Sequence, residues 1–348
     1  MKSPLYLLVA FIAFSSCSST NLVFISVKQP APVTVPNYVK SVAIVNRSIA
    51  SNENKTLDDI HRVLAMESKK LLEEGGRACI DGLNDEMIAN NRFENIVKLD
   101  TTELRAFGAG VFPSALSWDQ VEKICRETKT DALFSLELFD TDSKLNYGAS
   151  PASINTVFGK VPAVESNVTM NTLVKTGWRM YDPSSRVILD ESFISKELQF
   201  SGRGINPVAA AEALIHKKEA VKQAGTAAGH LYAGKIDPYW IRVNRDYFVR
   251  GTNNFKIARR KAQTGNWDEA GKLWEKETNS SSRKVAGRAC YNMAIINEIN
   301  GDLGSAIQWA QKAYEDYRIR IALHYVNILR NRKANEALLT MQTGGGNE

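Results

Sequence analysis

Few residue patterns in this 348-residue sequence are suited to catalysis. The stretch GHLYAGK at residues 229–235 has the glycine and lysine spacing of a phosphate-binding loop, but Ile236 stands where a Ser or Thr would meet Mg²⁺. The same stretch is predicted to end a helix, whereas a phosphate-binding loop joins a strand to a helix. We therefore expect no nucleotide site here.

Histidines and acidic residues form no metal-binding or acid–base pattern. None of the four histidines has a second His or a carboxylate at a convincing metal-ligand spacing. Asp182 lies in a predicted turn, and Asp190 and Glu191 are neighbours on a predicted strand, where consecutive side chains point to opposite faces. We expect a protein that is not an enzyme and has no catalytic residues, metal site or cofactor.

Three of the four cysteines are internal. Cys79, Cys125 and Cys290 each fall among apolar residues of a predicted helix. In an oxidising compartment one pair of them could form a disulfide. The favoured alternative is three buried free thiols, because free cysteine behaves as a small apolar residue.

The fourth cysteine follows an export signal. Residues 5–14 form a ten-residue apolar run, which is too short to cross a bilayer and fits a signal peptide. Two serines then precede Cys17, an ending that resembles the lipobox of bacterial lipoproteins. The resemblance implies that residues 1–16 are removed and that Cys17 carries acyl chains such as palmitate. The alternative is an ordinary secretory signal with an incidental cysteine.

The residues after Cys17 predict the location of the protein. Ser18 in place of Asp resembles sorting to the outer membrane, and the lack of an acidic cluster in SSTNLV favours the periplasm-facing side. Prolines at positions 30, 32 and 36 predict an extended, lipid-anchored tether over residues 17–36.

The next 210 or so residues alternate between predicted strands and helices. We predict strands at Lys40–Asn46, Asn95–Leu99, Asp131–Phe139, Val168–Tyr181, Val187–Phe200 and Tyr239–Phe248, and helices at Leu57–Asn90, Ser117–Lys129 and Pro207–Gly234. This order predicts an α/β (α+β) sandwich domain over residues 37–250.

Three segments of this region, VKSVAIVN, TKTDALFSLEL and YDPSSRVILD, resemble the small α/β domains of periplasmic assembly lipoproteins and of the curli secretion lipoprotein. Residues 140–167 lack the long alternating strands that a barrel requires, so we expect no pore-forming function.

The last hundred residues have a helical period and an internal repeat. Gly265, Trp267 and Ala270 correspond to Gly301, Leu303 and Ala306 at an offset of 36 residues. This spacing resembles the 34 residues of a tetratricopeptide repeat and predicts an all-α repeat domain over residues 251–342. A plain helical bundle is the alternative. Residues 343–348 are predicted to be a disordered tail.

The net positive charge is concentrated in the same region. Residues 251–348 contain 15 basic and 10 acidic residues, whereas residues 17–250 contain 28 of each. The excess favours acidic protein surfaces or lipid phosphates as partners. Nucleic acid is not expected beyond an export signal.

Tetratricopeptide geometry predicts which residues line the repeat groove, because the first helix of each pair faces it. The predicted partner-binding residues are Phe255, Arg259, Arg288, Tyr291, Ile295 and Glu298. Arginine beside an aromatic residue suits an extended peptide with an acidic or carboxyl-terminal group. The alternative is that Phe255 and Tyr291 pack against the 207–234 helix.

The order of these features, with the segments DPYWIRVNRDYF, GNWDEA and GDLGSA, extends over nearly all of the chain. It resembles a family of Bacteroidota lipoproteins of unknown function with an N-terminal α/β domain and C-terminal tetratricopeptide repeats. We expect a periplasmic, non-enzymatic protein-interaction or scaffold module anchored in the outer membrane through Cys17. The second interpretation is an accessory factor for envelope assembly or secretion that oligomerises through its α/β domain. The third is a hydrolase with an unrecognised site.

Overall fold

The computed structural model describes residues 19–48, 59–99, 112–156 and 159–343. The predicted signal peptide, Cys17 and residues 344–348 of the predicted tail lie outside these ranges. In the part of the chain that is described, no helix combines the length and the apolar character needed to cross a membrane.

The described residues form seven strands and nine helices. The strands are β1 (Thr20–Gln29), β2 (Ser41–Asn46), β3 (Asn95–Leu99), β4 (Ala132–Thr156), β5 (Gly159–Asp182), β6 (Val187–Gly204) and β7 (Tyr239–Phe248). The helices are α1 (Asp59–Ala89), α2 (Trp118–Thr128), α3 (Pro207–Glu212), α4 (Lys217–Ala233), α5 (Asn253–Gln263), α6 (Trp267–Glu277), α7 (Arg283–Ile299), α8 (Leu303–Glu315) and α9 (Arg320–Thr343).

The first compact unit contains residues 31–238 together with the described residues Gln342 and Thr343, and it is built on a five-stranded sheet of order β3-β2-β4-β5-β6. Strand β2 runs parallel to β3 and β4, and β4, β5 and β6 are successively antiparallel. The predicted sheet-rich α/β region is therefore confirmed. Two of its strands have nearly the predicted bounds: β3 is Asn95–Leu99 as predicted, and β2 begins at Ser41, one residue later than predicted.

Apolar clusters cover both faces of the sheet, which explains why β2 is almost wholly apolar. Helices α1 and α4 contribute Leu83 and Tyr232 to a cluster with Trp178 of β5. The Trp178 and Tyr232 rings stack with centroids 4.7 Å apart. Helix α2 contributes Val121 to the cluster on the opposite face. The region from Pro207 to Gly234, predicted as one helix, is divided into α3 and α4.

Glycines allow α1 and α4 to pack backbone against backbone. A Cβ atom on Gly229 would clash with the carbonyl oxygen of Cys79, and one on Gly82 would clash with that of Thr226. Gly229 is the first residue of GHLYAGK, and most of that stretch is the last turn of α4. The glycine therefore serves helix packing, in agreement with the expectation that this stretch is not a phosphate-binding loop.

The hairpin of β4 and β5 is much longer than the sequence indicates. The strands pair from Leu133↔Tyr181 to Thr156↔Gly159, with a bulge between Leu136 and Leu138. The expectation that residues 140–167 lack long strands is wrong. Most side chains of residues 140–153 are exposed or only partly buried, so the apolar alternation that identifies a strand is missing while the backbone ladder is complete.

The predicted tether is wrong over residues 20–29. These residues form β1, which pairs antiparallel with β7 from Thr20↔Phe248 to Gln29↔Tyr239. The segment NLVFISVK alternates exposed and more buried side chains, as expected for a half-buried strand, and the prolines that suggested a tether begin only at Pro30.

Of the described residues, the second compact unit contains residues 19–30 together with residues 239–341. The predicted domain boundary at residue 250 thus lies one strand too late, because β7 belongs with the helices. Tyr247 of β7 contacts the rings of Trp267 and Trp274, with centroids 5.4 and 5.8 Å away.

Helices α5 to α9 confirm the predicted C-terminal helical region. The turn between α5 and α6 resembles the turn between α7 and α8. Gly265 in the first and Gly301 in the second have φ values of 80° and 83°, in the region that favours glycine. Asn266 and Asp302 then cap α6 and α8 through side-chain bonds to backbone N–H groups. The 36-residue offset seen in the sequence is therefore an offset between equivalent turns.

Candidate anion-binding cleft

Four of the six predicted partner-binding residues are buried. Phe255, Ile295, Glu298 and Tyr291 are between 0% and 4% exposed and lie in the interior of the helical unit. They cannot contact a partner on the surface of this fold, so the prediction is wrong for these four. The alternative that Phe255 and Tyr291 pack in a core is closer, but their neighbours belong to the helical unit, not to the 207–234 segment.

The chain's own β7 occupies the helix face that was expected to bind a partner. Phe248 packs edge-on against Tyr291, with ring centroids 5.4 Å apart. The side chain of Asn292 accepts a hydrogen bond from the Phe248 N–H and donates one to its carbonyl, both at 2.7 Å. This amide satisfies both polar groups of a buried backbone residue, as a neighbouring strand would.

Glu298 is the centre of a buried ion cluster. Its carboxylate accepts two bonds from Arg245 at 2.8 and 2.9 Å, one from Arg332 at 2.9 Å and one from the Tyr325 hydroxyl at 2.6 Å. Burial alone would raise the pKa of Glu298, but these donors outweigh burial and the pKa lies below its usual value. The cluster joins β7, α7 and α9, which makes Glu298 a structural residue.

The two arginines of the predicted set have different surroundings. Arg288 is half-buried; it donates to the carbonyl of Arg250 at 2.7 Å and lies over the Phe248 ring at 5.1 Å. Arg259 is exposed and lines a surface cleft. Of the six residues, Arg259 is thus the one with a free guanidinium at a concave surface.

The cleft around Arg259 is cationic. It has a volume of about 590 Å³ and is lined by Val249, Arg250, Gly251, Lys256, Arg259, Arg260 and Gln263. Four of these seven residues carry a positive charge and none carries a negative one. Lys256, Arg259 and Arg260 lie on one face of α5, because residues three and four apart in a helix are neighbours.

Nothing in the described part of the chain neutralises these cations, since no carboxylate there pairs with the side chain of Arg250, Lys256, Arg259 or Arg260. The pKa of Arg288, behind Arg250, is lowered by burial and by the charge of Arg250. An anion in the cleft would relieve this repulsion and accept several charge-assisted hydrogen bonds.

The sequence contained a signal for this cleft that the repeat argument did not use. Lys256, Arg259 and Arg260 have the i, i+3, i+4 spacing of a single helix face. Of these three residues only Arg259 was among the predicted groove residues, because its position was derived from its distance to the turn glycine Gly265. Arg250 could not be assigned to the same cleft before the fold was known, because it precedes α5.

A second buried charge cluster lies in the α/β unit. Glu137, at the bulge of β4, accepts bonds from Arg47 and from the Tyr181 hydroxyl. Burial raises the pKa of Glu137 despite these partners. Arg179 donates to the carbonyl of Pro113 at 2.7 Å, and the Tyr181 hydroxyl accepts from the Leu116 N–H at 3.1 Å. The cluster holds the segment before α2 against the sheet.

Cys79, Cys125 and Cys290 are free and buried, which agrees with the favoured alternative over a disulfide. Burial raises the pKa of the Cys125 and Cys290 thiols to about 11. Such thiols are protonated at neutral pH and poor nucleophiles. Within the residues that are described, no group of three or more His, Cys, Asp or Glu side chains could hold a metal ion.

Fold and cleft together define a class: a two-unit protein in which a mixed α/β sheet unit accompanies a helical unit with a cationic surface cleft. The chain belongs to the family described as "Domain of unknown function (DUF8603)", whose model matches residues 39–248. A second model, "Domain of unknown function (DUF6340)", matches residues 256–331. No curated protein matches the sequence.

Two solved structures illustrate the distant similarity. The PelC dodecamer from Paraburkholderia phytofirmans is 10% identical with a TM-score of 0.23, covering 62% of this chain and 98% of the other. A neuraminyllactose-binding hemagglutinin homolog from Helicobacter pylori is 10% identical with a TM-score of 0.20, covering 67% and 94%. Scores this low carry no information about the fold, activity or assembly of the present chain.

Proposed function

We propose that this protein is a non-enzymatic interaction module, anchored through lipidated Cys17 to the periplasmic side of the outer membrane, whose helical unit binds an anionic partner surface. The observation that carries the proposal is the cleft with four cationic side chains and no carboxylate in its lining. The lipobox-like sequence before Cys17 supports the anchor. A scaffold role requires no reactive group, which is consistent with the high thiol pKa values of Cys125 and Cys290.

We further propose that α5 to α8 are two tetratricopeptide-like repeats. The equivalent turns at Gly265 and Gly301 support this assignment, as do the equivalent bonds from Trp267 N–H to the Gly265 carbonyl and from Leu303 N–H to the Gly301 carbonyl, both 3.0 Å. In this proposal the helix face that other repeat proteins offer to a peptide holds β7, so partners bind at the cleft beside α5.

The anchor is tested by the Cys17→Ala variant. We expect this variant to remain an unprocessed precursor that is not labelled by radioactive fatty acid and does not fractionate with the outer membrane, because the acylated thiol is missing. Label retained by Cys17→Ala would contradict the anchor. The matched control is Ser19→Ala, which lies beyond the lipobox and should be labelled like the wild type.

The cleft is tested with pyrophosphate as a soluble anion. We expect pyrophosphate to raise the thermal midpoint of the wild-type protein, because a ligand that binds only the folded state stabilises it. The combined variant Lys256→Gln, Arg259→Gln, Arg260→Gln should lose this shift while its midpoint without the anion changes little, since all three side chains are exposed. An equal shift in both proteins would show that the anion binds elsewhere.

The second candidate function, an assembly factor that oligomerises through its α/β unit, is favoured by the long hairpin. Beyond Leu136, β4 has a described strand partner only in β5, and β6 likewise pairs only with β5. Unpaired strand edges of this length are templates for pairing with another chain. Sedimentation velocity of the mature protein tests this candidate: a concentration-dependent rise in mass supports it, and a monomer throughout contradicts it.

A further inference from the structure

The start of the described chain lies beside the cationic cleft. The N–H of Val249 donates to the carbonyl of Ser19 at 3.0 Å, and Val249 and Arg250 both line the cleft. Ser19 is two residues after Cys17, and an extended chain covers at most about 3.6 Å per residue. If Cys17 carries the anchor, as the proposed function states, its Cα atom lies within about 7 Å of the Cα atom of Ser19, so the anchor emerges on this side of the helical unit.

A second cleft continues the surface toward β1. It has a volume of about 780 Å³, and its lining includes Leu22, Phe24 and Arg242 of the two-stranded sheet and Gln263 of α5. Gln263 also lines the cationic cleft. The two clefts therefore adjoin at Gln263, with the cations of α5 on one side of this residue and the outer face of the β1–β7 sheet on the other.

This outer sheet face has the composition of a membrane interface. Leu22, Phe24 and Trp240 are 53%, 56% and 66% exposed. The register puts all three on the same face, since Leu22, Phe24 and Lys28 pair with Asp246, Asn244 and Trp240. The guanidinium of Arg242 lies 4.8 Å from the centroid of the Phe24 ring. The same register places the cations Lys28 and Arg242 and the carboxylate of Asp246 on this face. Exposed aromatic and aliphatic groups beside cations are typical of surfaces that bind at the headgroup level.

We propose that this surface lies on the anionic phospholipid bilayer that holds the anchor. We call it the docking face, and its residues are Leu22, Phe24, Trp240, Arg242, Arg250, Lys256, Arg259 and Arg260. Headgroup phosphates bind Arg250, Lys256, Arg259 and Arg260, while the three apolar side chains enter the interface. The anchor position selects a bilayer over a soluble acidic protein, because tethering a ligand beside its site gives it a high effective concentration.

The docking face is tested with the mature chain starting at Ser18, which keeps every residue that the structure describes and lacks the lipid. Flotation with phosphatidylcholine vesicles is compared with flotation with vesicles that also contain phosphatidylglycerol. We expect stronger binding to the anionic vesicles. Each cation at an anionic surface strengthens partitioning about fivefold, so Lys256→Gln, Arg259→Gln, Arg260→Gln should weaken it on the order of 100-fold.

The matched control removes three exposed cations elsewhere in the helical unit: Lys276→Gln, Lys284→Gln, Arg320→Gln. It changes the net charge equally and should bind like the wild type. A second variant, Phe24→Ser with Trp240→Ser, should weaken binding to both kinds of vesicle, because it removes apolar area that enters the interface.

Three results would contradict this proposal. Wild-type protein that shows no preference for anionic vesicles overturns the docking face. Equal losses in the control and in the α5 variant overturn it as well, because they indicate attraction by net charge alone. If pyrophosphate stabilises the protein while anionic vesicles do not bind, the headgroup assignment is overturned and the proposed anion site stands. Loss of the anchor itself is detected separately by fatty-acid labelling.

Discussion

Replacing Glu298 by alanine is expected to lower the free energy of unfolding of the helical unit by about 3–5 kcal/mol, because it leaves Arg245 and Arg332 without the buried carboxylate that they share. The tyrosine hydroxyl of Tyr325 also loses its acceptor. Denaturant unfolding followed by tryptophan fluorescence measures the effect, since Trp267 and Trp274 pack in the same core. A partner-binding residue on the surface would give a change below about 0.5 kcal/mol.

Arg259→Ala is the control for this prediction. Arg259 belonged to the same predicted set but is exposed, so we expect its replacement to alter unfolding by less than about 0.5 kcal/mol. If Glu298→Ala is equally mild, the ion cluster does not hold β7, α7 and α9 together and Glu298 becomes available for recognition again.

The Glu298 cluster is also expected to make the stability of the helical unit fall at acid pH. The folded-state pKa of Glu298 is below its usual value, so its contribution to stability is complete above the unfolded pKa. That contribution is lost as the pH falls through the lowered folded-state pKa. The helical unit of the wild-type protein should therefore lose stability toward acid pH more steeply than that of the Glu298→Gln variant, because the glutamine amide does not titrate in this range. Parallel profiles for the two proteins would contradict the assignment.

Gly229→Ala is expected to lower the free energy of unfolding of the α/β unit by about 1–3 kcal/mol. The added methyl group would meet the backbone carbonyl of Cys79, which cannot move aside without separating α1 from α4. In an open helix the same change would stabilise by about 1 kcal/mol, so the sign of the effect reports the close approach of the two helices.

Gly234→Ala is the matched control, because a Cβ there would meet its nearest atom at 3.6 Å, an ordinary contact. It should be close to neutral in thermal and denaturant unfolding. A phosphate-binding loop predicts a different pattern: Gly229→Ala would weaken nucleotide binding with little change in stability. Unchanged stability in Gly229→Ala would contradict helix packing as the role of this glycine.

Elements with local signals were predictable from the sequence. Strand β7 lies at Tyr239–Phe248 as predicted, and Ser117 with Gln120 forms the predicted capping box before α2. Turn glycines at 265 and 301 identified the helix pairs, because a positive φ restricts the choice of residue. The same sequence also indicated the basic face of α5 through its residue spacing.

Which of these elements contact each other depends on the tertiary fold. β1 pairs with β7 across more than two hundred residues, and the outer half of the β4–β5 hairpin is stabilised by backbone pairing that leaves no apolar alternation to detect. The burial of Glu298 could not be predicted from the sequence either, because a carboxylate on a helix is usually at the surface. In the fold, Arg245 and Arg332 from other elements donate to this carboxylate and allow it to be buried. Whether a side chain is buried depends on the elements that pack against it. Spacing along α7 could therefore place Tyr291 and Glu298 on one helix but could not reveal that β7 covers them.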